Sequence, residues 1–101
     1  MGKVELFKGV LSGIMTSSLL YAISQAGGRY QFSFKLDKKI EGIPDEFLVY
    51  AYTHGGQIIV RPGDRIIIEG KLIKKTIGKE ELEIIEMYAN HIYNSTLKCG
   101  F

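Results

Sequence analysis

Few side chains in this 101-residue sequence are of types that do covalent chemistry, and their spacing gives catalysis little to work with. His54 and His91 are the only histidines. Paired, they would supply the general base and general acid of a ribonuclease-type reaction. Nothing in the sequence brings them together, and a hydrogen-bonded structural histidine is the expected role. His54, His91, Cys99 and Asp64 are metal-ligand types, yet no two stand at a metal-binding spacing. Gly27-Gly28 and Gly55-Gly56 lack the G-x-x-x-x-G-K context of a phosphate-cradling loop. Asn94-Ser95-Thr96 fits the glycosylation sequon without a secretory context. The single cysteine, Cys99, excludes an intramolecular disulfide and a cysteine zinc site, and reads as a free thiol in the closing Lys98-Cys99-Gly100-Phe101. An enzyme is not expected, nor is a cofactor or a metal.

What remains is a set of tyrosines and cations suited to non-covalent recognition. The formal net charge is only +2, but it is unevenly placed. Arg29, Lys35, Lys38 and Lys39 against Asp37 give residues 29–39 a net +3, and Lys71, Lys74, Lys75 and Lys79 give 71–79 a net +4. Residues 40–64 are net −3 (Glu41, Asp45, Glu46 and Asp64 against Arg61), and Glu80, Glu81, Glu83 and Glu86 make 80–86 net −4. Such segregation makes a polarised surface at low net charge.

The 46% hydrophobic content excludes intrinsic disorder, and no apolar run approaches the roughly 20 residues of a membrane helix. Met1-Gly2-Lys3-Val4-Glu5 is not a secretory signal. The length suits one domain over 1–101, with its strands within about 3–93 and a short tail at 94–101, and a cytoplasmic location without membrane contact is expected. Abundant isoleucine, lysine, glutamate and tyrosine, with few cysteines and methionines, hints at a thermophile.

Period-2 alternation sets out the elements that must position these residues. Arg65 to Ile73 is the clearest strand, opened by Gly63-Asp64, with Ile66, Ile68, Gly70 and Leu72 on one face. An inward glycine suits a coiled strand approached closely by its neighbour's backbone. Tyr30 to Leu36 alternates large apolar and polar residues, and Phe47 to Thr53 is another strand, ended by His54-Gly55-Gly56. Lys3 to Ile14 reads as a long strand that could bend or bulge at Gly9 and Gly13. Leu82 to Tyr93 tolerates a helix, but its β-branched and aromatic content favours a strand. Ser17 to Gly28 fits either a two-turn helix or an extended hairpin finger turning at Gln25-Ala26-Gly27-Gly28, and the hairpin is preferred.

Five strands with breakers between them and no long helical stretch predict a small, closed all-β barrel. The order of elements resembles the OB-fold, the oligonucleotide/oligosaccharide-binding superfamily, and the resemblance implies a five-stranded Greek-key barrel. The match lies in Phe7-Lys8-Gly9-Val10-Leu11, in Tyr30-Gln31-Phe32-Ser33-Phe34-Lys35-Leu36, and most specifically in Arg61-Pro62-Gly63-Asp64 followed by Arg65-Ile66-Ile67-Ile68-Glu69-Gly70-Lys71-Leu72. Two departures stand out. Gly55 to Pro62 leaves little or no room for a helix between the third and fourth strands, and the loop between the first and second is long.

The resemblance implies binding on the face of the second and third strands, flanked by the loops joining strands one to two and four to five. With Phe32 and Phe34 inward, Arg29, Gln31, Ser33 and Lys35 point out. With Phe47, Val49 and Ala51 inward, Leu48, Tyr50, Tyr52 and His54 point out. A one-residue slip would invert that strand and bury both tyrosines. Lys74-Lys75-Thr76-Ile77-Gly78-Lys79 reads as the flanking loop. The expected site is Arg29, Gln31, Lys35, Tyr50, Tyr52, His54, Lys71, Lys74, Lys75 and Lys79, with tyrosines stacking on bases and cations holding phosphates. The expected partner is single-stranded DNA or RNA. The alternative is a protein-interaction module within a replication, repair or translation complex, with a protein partner or a homo-oligomer contacting Leu19-Leu20-Tyr21 and Leu48 or Ile73.

Overall fold

The computed structural model describes residues 2–24, 27–53 and 59–100. Its strands are β1 (Lys3–Met15), β2 (Leu20–Ser24), β3 (Gly27–Leu36), β4 (Glu46–Thr53), β5 (Arg65–Ile77), β6 (Leu82–Asn94) and the short β7 (Cys99–Gly100). The hydrogen-bonded order is β1-β5-β6-β4-β3-β2, with β7 on β6, and a further β1–β3 pairing returns the sheet to its first strand. Five strands therefore form a closed circuit, β1-β3-β4-β6-β5, with β2 outside it. β4 and β6 run parallel, and the other pairings are antiparallel.

The predicted alternation is what closes the sheet around a core. Phe32, Phe34 and Leu36 of β3, Phe47, Val49 and Ala51 of β4, and Ile66, Ile68 and Leu72 of β5 are buried. They meet Leu11 and Met15 of β1 and Met87 and Ile92 of β6. Burying each of the large aliphatic or aromatic side chains contributes about 1.5–3 kcal/mol. Gly70 stands at the register shift between β5 and β6. A Cβ there would lie 2.1 Å from the Tyr88 carbonyl oxygen, so only glycine admits the approach of β6.

The Pro62-Gly63 pair makes the tight turn into β5. Asp64 N–H donates to the Arg61 carbonyl at 3.0 Å, and Gly63 has φ +90°, a left-handed value that disfavours any side chain. Asp64, buried by this turn, accepts the Arg61 amide at 2.9 Å and the Asn94 side-chain amide at 2.8 Å. Asn94 Oδ1 in turn accepts the amides of Thr96 and Leu97, each at 3.1 Å. The proline-glycine-aspartate pattern is thus tied to the end of β6.

Two expectations are corrected in detail, and the alternative left open at Ser17–Gly28 falls to the preferred hairpin. β5 continues to Ile77, so Lys74 and Lys75 belong to a strand and the turn is confined to Gly78–Glu81. The register break in β1 falls between Glu5 and Phe7 rather than at Gly9 or Gly13. Ser17–Gly28 supplies no helix among its described residues: β2 pairs with β3 from Leu20↔Gln31 to Ser24↔Gly27, which makes the extended finger. The finger's turn residues Gln25 and Ala26 lie outside the described residues, as does His54–Ile58 between β4 and β5. Among the described residues no helix is long and apolar enough to cross a membrane.

Candidate functional site

The register of β3, β4 and β6 builds one outward face. Arg29 is opposite Tyr52, Gln31 opposite Tyr50, Ser33 opposite Leu48 and Lys35 opposite Glu46. Across the parallel seam, Tyr50 is beside Tyr88 and Leu48 beside Glu86. Since Phe32, Phe34, Phe47, Val49 and Ala51 are all buried, the outward assignment of Tyr50 and Tyr52 holds.

The outward residues form a ladder. The Arg29 guanidinium lies 5.0 Å from the centre of the Tyr50 ring. Tyr50 stacks on Tyr88 with ring centres 5.8 Å apart and planes 25° from parallel. The Lys75 ammonium sits 5.0 Å from the centre of the Tyr88 ring and hydrogen-bonds its hydroxyl. Cation–ring attraction at both ends ties the pair of rings to two cations. Tyr52, 49% exposed, continues the face beside Arg29.

Glu86 shares the outward face of β6 with Tyr88, two residues away, and is buried there apart from 8% of its surface. Its carboxylate is 3.3 Å from the Lys75 ammonium. Burial pushes the Tyr50 hydroxyl above its ordinary ionisation value, and hydrogen bonding to Glu86 and the carboxylate's charge push it further. The Lys75 ammonium is likewise raised, first by its hydrogen bond to Tyr88 and then by Glu86, against an opposing effect of burial. Both groups are therefore held in their protonated forms. The carboxylate braces a neutral tyrosine and a charged lysine at once.

The structure does not gather every expected residue at this face. Arg29, Gln31, Lys35, Tyr50, Tyr52, Lys71 and Lys75 share it. Lys35 is exposed opposite Glu46, whose carboxylate accepts the Thr16 hydroxyl at 2.6 Å. Lys74 falls on the other side of β5, since neighbours in a strand alternate, and its ammonium is 3.7 Å from Glu83. Lys79 is exposed in the Gly78–Glu81 turn. His54 lies outside the described residues. His91 is exposed on β6, opposite Glu69. Leu48 and Ile73, expected as exposed contact surface, are half-buried. Among the described residues no group of three or more histidine, cysteine or acidic side chains is placed to hold a metal ion.

Tyr88 and Glu86 were missed by sequence reasoning. Their signal was present: Met87 and Ala89 point inward, so alternation sends Glu86 and Tyr88 outward.

With this geometry in hand, solved structures give a close match in shape. A small single-stranded DNA-binding protein from Streptomyces coelicolor superposes with a TM-score of 0.66 at 15% identity, over 98% of this chain and 100% of that one. The second single-stranded DNA-binding protein of Mycobacterium smegmatis gives 0.63 at 14% identity, over 92% of this chain and 94% of that one. The fold is the OB-fold. By sequence, the chain matches no protein-family model and no curated protein.

Proposed function

We propose that this OB-fold chain binds single-stranded DNA across the outward face of β3, β4 and β6, as a binding protein rather than an enzyme. The observation that carries the reading is the Arg29–Tyr50–Tyr88–Lys75 ladder. Two parallel rings offer flat apolar surface to bases whatever their sequence, and each stacked base is worth about 1–3 kcal/mol. Tyr52 adds a third ring, Gln31 a polar contact opposite Tyr50, and Lys35 and Lys71 positive charge at the margins. The likeness to two single-stranded DNA-binding proteins supports DNA as the ligand.

The chain has six tyrosines and no tryptophan, so its intrinsic fluorescence is that of tyrosine, with Tyr50, Tyr52 and Tyr88 of the outward face contributing to it. A single-stranded DNA oligonucleotide is expected to quench it, with affinity falling as salt rises because counterions leave the phosphates. No quenching and no gel shift at low salt would overturn the reading. Quenching by RNA alone would move the ligand class to RNA. A chain that ignores both nucleic acids but sediments as a dimer or larger would favour the interaction-module alternative, for which the exposed Val10, Ile14 and Tyr93 of β1 and β6 speak.

A further inference from the structure

The outward face does not stop at the ladder. Register carries one row of side chains across six strands: Leu20 on β2, Gln31 on β3, Tyr50 on β4, Tyr88 on β6, Lys71 on β5 and Lys8 on β1. Adjacent strands are about 4.8 Å apart, so Lys8 stands roughly 14 Å along the sheet from Tyr50. At the β1 end the row meets an unusual arrangement. Lys8 is directly opposite Lys71, and Lys3 is directly opposite Lys75.

Like charges placed directly across an antiparallel pair repel and cost stability. Here the arrangement occurs twice between the same two strands. Glu5, exposed between Lys3 and Lys8, and Glu69, opposite Val10, are the nearby acids on this side of the two strands. Among the described residues neither acid makes an ion pair, and Lys3, Lys8 and Lys71 are likewise free of carboxylate partners. Lys3, Lys8 and Lys71 are exposed, and Lys75 joins the pairs to the Tyr88 ring. Lys8 faces Lys71 and, about 13 Å along the strands, Lys3 faces Lys75. These two lysine pairs in line, of which among the described residues only Lys75 has a carboxylate partner, continue the stacking surface and form a receptor for a chain of anions.

We propose that Lys3 and Lys8 of β1, with Lys71 of β5, form a phosphate-binding rail that carries the single strand past Lys75 and Tyr88 and around the closed sheet. The inference rests on the stacking reading above and extends its site onto β1. A short oligonucleotide occupies the ladder alone. A longer one continues onto the rail, so the lysines of β1 matter only beyond a threshold length.

The test compares thymidine oligonucleotides of about six and about twelve nucleotides, within the span of sites that OB-folds cover. Tyrosine quenching is followed over a series of salt concentrations for the wild type and for Lys3→Gln with Lys8→Gln. On the longer oligonucleotide the double variant should lose about 1.4 from the slope of log affinity against log salt, about 0.7 for each phosphate contact. On the shorter one its slope should match the wild type, and the amplitude of quenching should be preserved on both. A second variant, Lys8→Glu, places opposite charges across from each other at Lys71. It should raise the melting temperature of the free protein while weakening binding to the longer oligonucleotide, two effects that a lysine of purely structural role would not separate. If the wild type binds both lengths and the double variant leaves the long-oligonucleotide slope unchanged, the rail is wrong and the stacking site stands. If the wild type shows no quenching at all, the stacking reading fails and the rail fails with it.

Discussion

Tyr50 and Tyr88 stack across the parallel seam between β4 and β6, with ring centres 5.8 Å apart and planes 25° from parallel. Neither ring is buried in the core, and neither belongs to a hairpin with the other. Their alignment is a product of tertiary register alone, and it yields the first prediction. Tyr50→Ala or Tyr88→Ala should each weaken single-stranded DNA binding by about 1–3 kcal/mol, with the salt slope nearly unchanged. Phenylalanine at either position should retain most of the affinity, since the stacking surface survives. Quenching titrations at two salt concentrations distinguish loss of stacking from loss of charge.

Glu86 makes the opposite prediction. Its carboxylate neutralises Lys75, the cation closest to the rings. Glu86→Gln should leave that ammonium free for a phosphate, so affinity at low salt should rise and the salt slope should steepen by about 0.7. Weaker binding with an unaltered slope would mean that Glu86 serves the site by bracing Tyr50 and not by competing for Lys75.

The same cluster sets a response to alkali. The Tyr50 hydroxyl titrates above the ordinary tyrosine value of 10.0, and Lys75 above the ordinary lysine value of 10.5. In both cases the folded chain keeps a proton that the unfolded chain releases first. The associated stability is therefore complete below pH 10 and is lost as pH rises through the folded values. Urea titrations from pH 8 upward should show this decline. A difference spectrum between the wild type and Tyr50→Phe should place the Tyr50 ionisation above that of ordinary tyrosines, and Glu86→Gln should bring it down.

Gly70 and Asp64 test the frame that carries the site. Gly70→Ala forces a methyl group to within 2.1 Å of the Tyr88 carbonyl unless β5 and β6 separate. A loss of about 3 kcal/mol is expected, with Tyr88 displaced and binding weakened together. Asp64→Ala strands the Arg61 N–H and leaves the buried Asn94 amide only the Ile59 carbonyl as acceptor, and should cost about 1–3 kcal/mol. Because Asp64 lies at the far end of β5 from the ladder, DNA affinity should be little changed wherever the variant remains folded. Chemical denaturation and quenching on the same samples separate the two outcomes.

The fold was legible because alternation is local. Phe32-Ser33-Phe34 and Ile66-Ile67-Ile68 declare their faces within a few residues, and Arg61-Pro62-Gly63-Asp64 declares its turn. Half of the site followed from the same signal, since Arg29, Gln31, Tyr50 and Tyr52 alternate with core residues. The other half depended on register between distant strands. Tyr88 went unrecognised because Leu82 to Tyr93 was never resolved into faces. Lys3 and Lys8 draw meaning only from their positions opposite Lys75 and Lys71. Charge summed along the chain misled in one respect. The lysines at 74 and 75 count together in sequence, yet the strand sends them to opposite sides, one to Glu83 and the other to Glu86.

The parallel seam has a kinetic consequence. Every member of the ladder comes from a different strand, and β4 and β6 can meet only after β5 has been laid down between them in sequence. Closing such long loops precedes the contacts that reward it, so sheets of this kind fold slowly. The stacked pair cannot assemble in a fragment ending before β6, and it dissolves when the seam opens. A strand of DNA lying across Tyr50 and Tyr88 would thus act as a clasp on the whole molecule, slowing its unfolding and protecting it from proteolysis in proportion to occupancy.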